Sequence, residues 1–332
     1  MAELEARGEP MALATVVSTT GSTYRRAGAR LLVLAAGDPI GNISGGCLEG
    51  EVARIGREVM GDGKPRLAAF DLTADDDAVW GYGLGCNGAF EIFVEPTIGA
   101  IETARALRHA LAGSPTCLVT VVTGPNAGSH RLQTDGAAVA ALADGIPRIL
   151  EEEGERVFYE PMLPPLRLVV CGAGHDAIPL VRQAAELGWR VTVADVRRAL
   201  LTNERFTGAS DFVDADPDAV AEVIGPDERT AVVLMSHNYL RDIGYLRSFL
   251  NEPLAYLGVM GPRGRTEQML SEIGAPEALE RLHAPAGLDI VADGPEEVAR
   301  AIVAEILAVT RRRGGGSLRD RRAPIHADQP PM

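Results

Sequence analysis

No run in these 332 residues approaches the ~18 consecutive apolar residues of a membrane-spanning helix. The opening stretch, MAELEARGEP, also lacks the apolar core of a secretory signal, so a cytoplasmic protein with no membrane partner is expected. Positive charge is in deficit: 32 Lys and Arg face 46 Asp and Glu, a formal net charge of −14. Such a field repels polyanions at long range, which argues against nucleic acid as a partner. Cysteine is sparse and unpaired. Cys47, Cys86, Cys117 and Cys171 stand singly, without the close spacing of a zinc knuckle or a redox pair. A structural metal site is therefore not expected, and in a reducing cytoplasm these residues should be thiols. Cys117 in TCLVTVVTG and Cys171 ending LRLVVC lie in apolar strand patterns, where a small buried thiol is the ordinary explanation.

What is present is an ordinary globular composition, 46% hydrophobic and 23% charged, at a length that suits two domains. Closely spaced prolines in PMLPP (161–165) interrupt both helix and sheet pairing and mark the seam. The expected division is a first domain over 1–160, a second over 166–313, and a mobile tail over 314–332 rich in glycine, arginine and proline. Before the seam, ALATVVS, ARLLVLA and PIGNIS read as a small meander, and RLAAFDLT and AFEIFVEP as further strands. Leu48, Val52, Ile55 and Val59 recur at helical spacing, which predicts a helix from near Cys47 to Gly61. After the seam, apolar strands alternate with helices, the pattern of a parallel sheet covered on both faces. The last helix is predicted from about Pro295 to Arg313. The fold class is thus α/β: an N-terminal mixed α/β domain followed by a Rossmann-like parallel-sheet domain.

Gly172, Gly174 and Ala177 form a GxGxxA pattern between a strand and a helix, and a second strand ends at Asp195 about twenty residues later. Gly172 permits the tight turn, Gly174 lets backbone approach a diphosphate, and Ala177 allows close helix-on-strand packing. The helix start then offers N–H groups to the anion. Asp195 is the expected acceptor for an adenine ribose. An unshielded carboxylate there opposes a 2′-phosphate by roughly 4 kcal/mol at about 4 Å, which favours NAD over NADP unless an arginine, Arg197 or Arg198, folds across it. A Rossmann sheet without nucleotide, or with another ligand in its crevice, is the alternative. His237 in LMSHN follows a predicted strand and so sits at the carboxyl edge, where ligand and acid/base roles arise. His283 and Asp289 share the loop HAPAGLDI. His109 and His130 have no supporting context.

Two cysteines occupy glycine-rich connections, Cys47 in GNISGGCLEG and Cys86 in GYGLGCNG. A thiol in the first turn of a helix is stabilised as thiolate, but the dipole supplies only about 0.3 to 1 kcal/mol, against about 1.4 kcal/mol per pKa unit. Cationic neighbours are needed, and GSTYRRAGAR offers Arg25, Arg26 and Arg30. Arginines beside flexible glycines also suit a phosphate or a pterin-like ligand. The plainer reading is that the glycines make tight turns and Cys47 merely packs.

The succession ATVVSTTGSTYRRAGARLLV, ISGGCLEGEV and GLGCNGAFEIFVEP resembles the N-terminal domain of the XdhC/CoxI family. LVVCGAGHDAIPLV, VTVADVR, LMSHNYLRD, YLGVMGPRGR and RLHAPAGLDI resemble its Rossmann domain. The resemblance runs from about Ala14 to Ile306. It implies a chaperone that binds molybdenum cofactor (molybdopterin), assists replacement of an oxo by a sulfido ligand with a cysteine desulfurase, and delivers it to a molybdenum hydroxylase apoenzyme. By position it implies Gly45, Gly46, Cys47 and Glu49 as the family's cysteine loop, and Gly85, Cys86 and Gly88 as its second. Cys47 is then a candidate molybdenum contact or sulfur carrier, the cofactor is expected between the cysteine loops and the Rossmann crevice, and relatives imply a homodimer. Two positions depart from the pattern: Pro262 stands in place of a serine and Val291 in place of a glycine. The competing expectations are a stand-alone NAD(P)-dependent oxidoreductase using His237 as acid/base, and a nucleotide-sensing module.

Overall fold

The computed structural model describes residues 1–71 and 87–322, in two compact units, Met1–Pro164 and a second that begins at Pro165. In the first unit, helix α1 (Ala2–Arg7) precedes strands β1 (Met11–Ser22), β2 (Arg30–Leu34) and β3 (Ile40–Gly41), helix α2 (Glu49–Asp62), and strands β4 (Arg66–Asp71) and β5 (Asn87–Glu95). These strands form one antiparallel sheet in the order β3-β2-β1-β5-β4. The expected strand PIGNIS shrinks to Ile40–Gly41, because the chain turns at Asn42 into the cysteine loop.

The first part of β1, Met11–Val17, is apolar almost without alternation because both its faces are covered. Ala12, Ala14 and Val16 point into a cluster with Val52 and Val59 of α2. Met11 and Leu13 meet Ala100 of helix α3 (Thr97–Leu111), and Val17 meets Val122 and Phe158 at a second sheet. That sheet is antiparallel, built from β6 (Thr116–Val121), β7 (His130–Gln133), β8 (Arg148–Glu152) and β9 (Glu155–Met162) in the order β7-β6-β9-β8. Helix α4 (Ala137–Asp144) packs Ala138 and Ala141 against its Cys117 and Val119.

The second unit holds parallel strands β10 (Arg167–Cys171), β11 (Arg190–Ala194), β12 (Asp211–Val213), β13 (Thr230–Leu234) and β14 (Tyr256–Val259), ordered β12-β11-β10-β13-β14. Helices α5 (Ala177–Glu186) and α9 (Pro295–Thr310) cover one face. Helices α6 (Val220–Ile224), α7 (Tyr239–Phe249) and α8 (Arg263–Ile273) cover the other. The order reverses beside β10, so the β10 and β13 carboxyl ends flank the crevice where such sheets bind ligands. The expected α/β architecture, a mixed unit followed by a Rossmann-like parallel sheet, is the one found. Among the described residues no helix is long and apolar enough to cross a membrane.

The seat of α2 matters because that helix carries the cysteine loop at its start. Gly56 lies flat on β2: a Cβ there would come within 2.8 Å of Val33 Cγ2, a stiff β-branched neighbour that is 1% exposed. Overpacking of this kind costs about 1–3 kcal/mol, which the helix-propensity gain of up to about 1 kcal/mol only partly offsets. Gly56→Ala should therefore lower the thermal midpoint of the chain, as followed by circular dichroism.

Candidate functional site

The cysteine loop is organised by one carboxylate. Glu49, the first residue of α2, turns back so that Oε1 accepts the backbone N–H of Ile43 (3.0 Å) and Ser44 (2.9 Å), while Oε2 accepts that of Gly46 (2.9 Å) and the Ser44 hydroxyl. Ser44 Oγ accepts the Leu48 N–H at 2.8 Å, and Asn42 Oδ1 accepts that of Gly45 at 3.1 Å. Burial works to raise the Glu49 pKa, yet the bonds from Ser44 and Ile43 outweigh it and hold the carboxyl at about 2, below its ordinary 4.5. Gly45 and Gly46 take φ of +89° and +120°, a region that glycine alone enters without penalty. The Tyr24 ring lies over Gly45, where an added Cβ would sit 3.3 Å from it, so the segment carrying Arg25 and Arg26 begins beside this loop.

Cys47 is half-buried on this loop, its Sγ 4.0 Å from the Ser44 carbonyl. The helix begins at Glu49, close to the expected start near Cys47, and the N–H groups of Ile43, Ser44 and Gly46 are given to the Glu49 side chain. Arg30, expected as a cation near the thiol, is bound to Glu160 through Nη2 at 2.5 Å. Cys86 and Gly85 lie outside the described residues; Gly88 is a residue of β5 paired with Gly21. Cys117 and Cys171 are fully buried. Burial pushes the Cys117 thiol up to about 11 and that of Cys171 well above its ordinary range, so both are inert core side chains.

The second candidate loop caps β10. Gly172 has φ +127°, and a Cβ there would lie 2.6 Å from the Met235 carbonyl oxygen, so this glycine is required by backbone crowding. Gly174 is held differently: its Cβ would meet only the Asp176 carboxylate, at 2.7 Å, the end of a mobile side chain. Ala177 opens α5 fully buried in the core. Asp195 is 1% exposed, and its carboxylate is saturated. Oδ2 accepts the Ala173 N–H and Arg197 Nη2, each at 2.7 Å, and Oδ1 accepts Arg197 N at 2.8 Å and Nε at 2.9 Å. Burial pulls its pKa upward, but the Arg197 and backbone bonds prevail and bring it to about 2 from 3.8. The sequence reading of Asp195 as an open ribose acceptor is thus corrected: Arg197 folds across it, and Arg241 Nη1 stands 3.8 Å from Oδ1.

His237, at the end of β13, is exposed, has φ +55°, and its Nε2 pairs with Asp176 Oδ2. Asp176 is the cap of α5, so two side chains from adjacent strand ends meet over the glycine loop. His283 lies elsewhere, stacked on Tyr256 with ring centroids 4.4 Å apart and with Nδ1 3.2 Å from Glu305. Tyr256 donates to Glu305 at 2.6 Å, and the Gly287 N–H donates to the same oxygen at 2.7 Å. Asp289 is exposed. Val291 has φ +54° and is 90% exposed, a strained setting for a β-branched side chain.

Sequence reasoning missed two groups. Asp176 was legible as an acid inside the phosphate-loop motif, GAGHDA. The other group, in the first unit, was not legible. His130 Nε2 is 2.8 Å from Glu95 and its Nδ1 3.1 Å from the Thr120 hydroxyl, beside a cavity of about 10 Å³ lined by Thr15, Thr103, Glu95 and Glu160. Burial, with Arg30 and Glu95 acting in opposite senses, raises the Glu160 pKa.

Over 322 residues the chain is 32% identical to a Bacillus subtilis (strain 168) protein named as a probable xanthine dehydrogenase subunit, covering 92% of this chain and 94% of that one. The chain belongs to the XdhC and CoxI family. The model of that family matches residues 4–71, and the XdhC Rossmann domain matches 168–306. The Cys47 loop falls in the first match and the Gly172–Ala177 loop in the second. The chain is also 24% identical to the molybdenum cofactor insertion chaperone PaoD of Escherichia coli strain K12, over 91% of this chain and 84% of that one. The crystal structure described as a xanthine dehydrogenase from Bacillus halodurans superposes with a TM-score of 0.80 at 28% identity, covering 96% of each chain.

Glu49→Gln should disorder the Cys47 loop, since an amide has one accepting oxygen for donors that now share two; the cost is about 1–3 kcal/mol. The pH dependence follows from the sign. A pKa depressed on folding contributes stability above the ordinary 4.5 that is lost as pH falls toward about 2. Melting curves of the native chain and of Glu49→Gln should therefore differ at neutral pH and converge across that window.

Proposed function

We propose that this protein is a molybdenum cofactor insertion and maturation chaperone for a molybdenum hydroxylase of the xanthine or carbon monoxide dehydrogenase type. The observation that carries the reading is the near full-length match to relatives named for xanthine dehydrogenase and for molybdenum cofactor insertion. The site agrees with it chemically. Cys47 is a part-accessible soft ligand on a loop whose shape is fixed by Glu49 and two left-handed glycines. A pre-shaped loop of this kind suits a thiol that must contact molybdenum or carry its sulfur without rearranging.

In this reading the cofactor is cargo, Arg25 and Arg26 assist its phosphate or pterin, a cysteine desulfurase supplies sulfur for exchange of an oxo for a sulfido ligand, and the chaperone works in the cytoplasm as a homodimer. Cys86 serves as the second thiol. The second unit holds a dinucleotide over Gly172, Gly174 and Ala177, with His237 and Asp176 at the loop and His283 in its own hydrogen-bonded cluster.

Cys47→Ser tests the proposal. Co-expression with a molybdenum hydroxylase apoenzyme should give at least about a tenfold loss of hydroxylase activation relative to the native chaperone, on the scale of removing one essential contact. Copurified pterin should fall with it, while the circular dichroism spectrum stays native. Full activation by the serine variant would instead favour a stand-alone NAD(P)-dependent oxidoreductase built on His237, which has no use for the thiol.

A further inference from the structure

We infer that the carboxyl end of β11 receives a phosphate monoester, the 2′-phosphate of an NADP-type nucleotide, on Arg197 in place of the free ribose diol of NAD on Asp195. The inference rests on the dinucleotide reading of the second unit and adds the class of nucleotide.

The ribose of NAD needs a carboxylate with lone pairs facing the crevice. Asp195 has none to give: four donors occupy its two oxygens, and it is 1% exposed. The group turned outward at this point is the guanidinium, whose side chain is 40% exposed. Its Nε and Nη2 are held by Asp195, which leaves the Nη1 edge without a hydrogen-bond partner among the described residues. Arg241, 29% exposed, stands behind Asp195 at 3.8 Å. Two guanidinium charges around one carboxylate leave a net positive site, and planar guanidinium groups favour phosphate oxygens over hydroxyls.

The diphosphate end of the site works in the opposite direction. The Asp176 carboxylate lies over Gly174 and is paired with His237, so negative charge already stands where a diphosphate approaches. Discrimination among nucleotides then falls to the ribose end, where Arg197 stands.

Calorimetric titration of the full chain with NADP and NAD, and competition by 2′-AMP, decides the matter. NADP should bind about tenfold or more tightly than NAD, and 2′-AMP should displace it. Arg197→Ala should erase the preference, and Arg197→Lys, which keeps the charge but not the fork, should retain part of it. Asp176→Asn should tighten both dinucleotides alike and leave their ratio unchanged. NAD binding as tightly as NADP overturns the inference but leaves the dinucleotide reading standing. Absence of binding by either nucleotide overturns both. An unchanged ratio in Arg197→Ala with a cooperative melting curve also overturns the inference, and if that variant does not fold, the native chain and Arg197→Lys carry the test.

Discussion

A carboxylate beneath a loop, accepting backbone N–H groups from it, is the interaction on which each candidate site depends. In the first unit Glu49 gathers three N–H groups and a hydroxyl from residues 43–46 and so sets where Cys47 stands. In the second, Asp195 takes the Ala173 N–H from beyond the neighbouring strand and locks the glycine turn to the end of β11. Each carboxylate is held ionised far below its usual range although burial opposes this. The donors win because several converge on each carboxylate: the Ser44 hydroxyl with backbone N–H groups in the first unit, the Arg197 guanidinium with backbone N–H groups in the second.

The same device explains which parts of the sites could be read from sequence. Gly172, Gly174 and Ala177 were legible as a tight turn between strand and helix because of their spacing, and Gly45–Cys47 stood out as a glycine-rich connection carrying a thiol. The strand runs around β1 and β10 were legible for a similar reason: apolar residues without alternation mean cover on both faces. Asp195 was legible as a position and illegible as a role, since the arginine two residues on can turn outward or back, and only packing decides. Glu49 carried no local mark of its task. The helix start near Cys47 was legible, whereas the reach of Glu49 back to the N–H groups of Ile43, Ser44 and Gly46 was not.

The Arg30, Glu95, His130 and Glu160 group lay wholly beyond sequence reasoning. Its members come from different strands, and Arg30 and Glu160 are separated by 130 positions. Only the stacking of two sheets brings them together. Buried acids in such a place stabilise little in themselves, but they fix how the sheets register, because any slip strands a charge in the core. The sheet that carries β1, and through it the seat of α2, is thereby tied to the second sheet by polar contacts as well as by Val17 and Phe158.

The burial of Cys117 and Cys171 has a bearing on traffic in sulfur. A protein that handles persulfide or a thiophilic metal is exposed to scrambling whenever several sulfhydryls compete for the same atom. Here two of the three described cysteines are sealed within strands and deprived of nucleophilicity. Of the cysteines among the described residues, Cys47 alone is not fully buried, so a thiophilic atom brought to this surface would meet one sulfhydryl there, while the strands sheathe the other two.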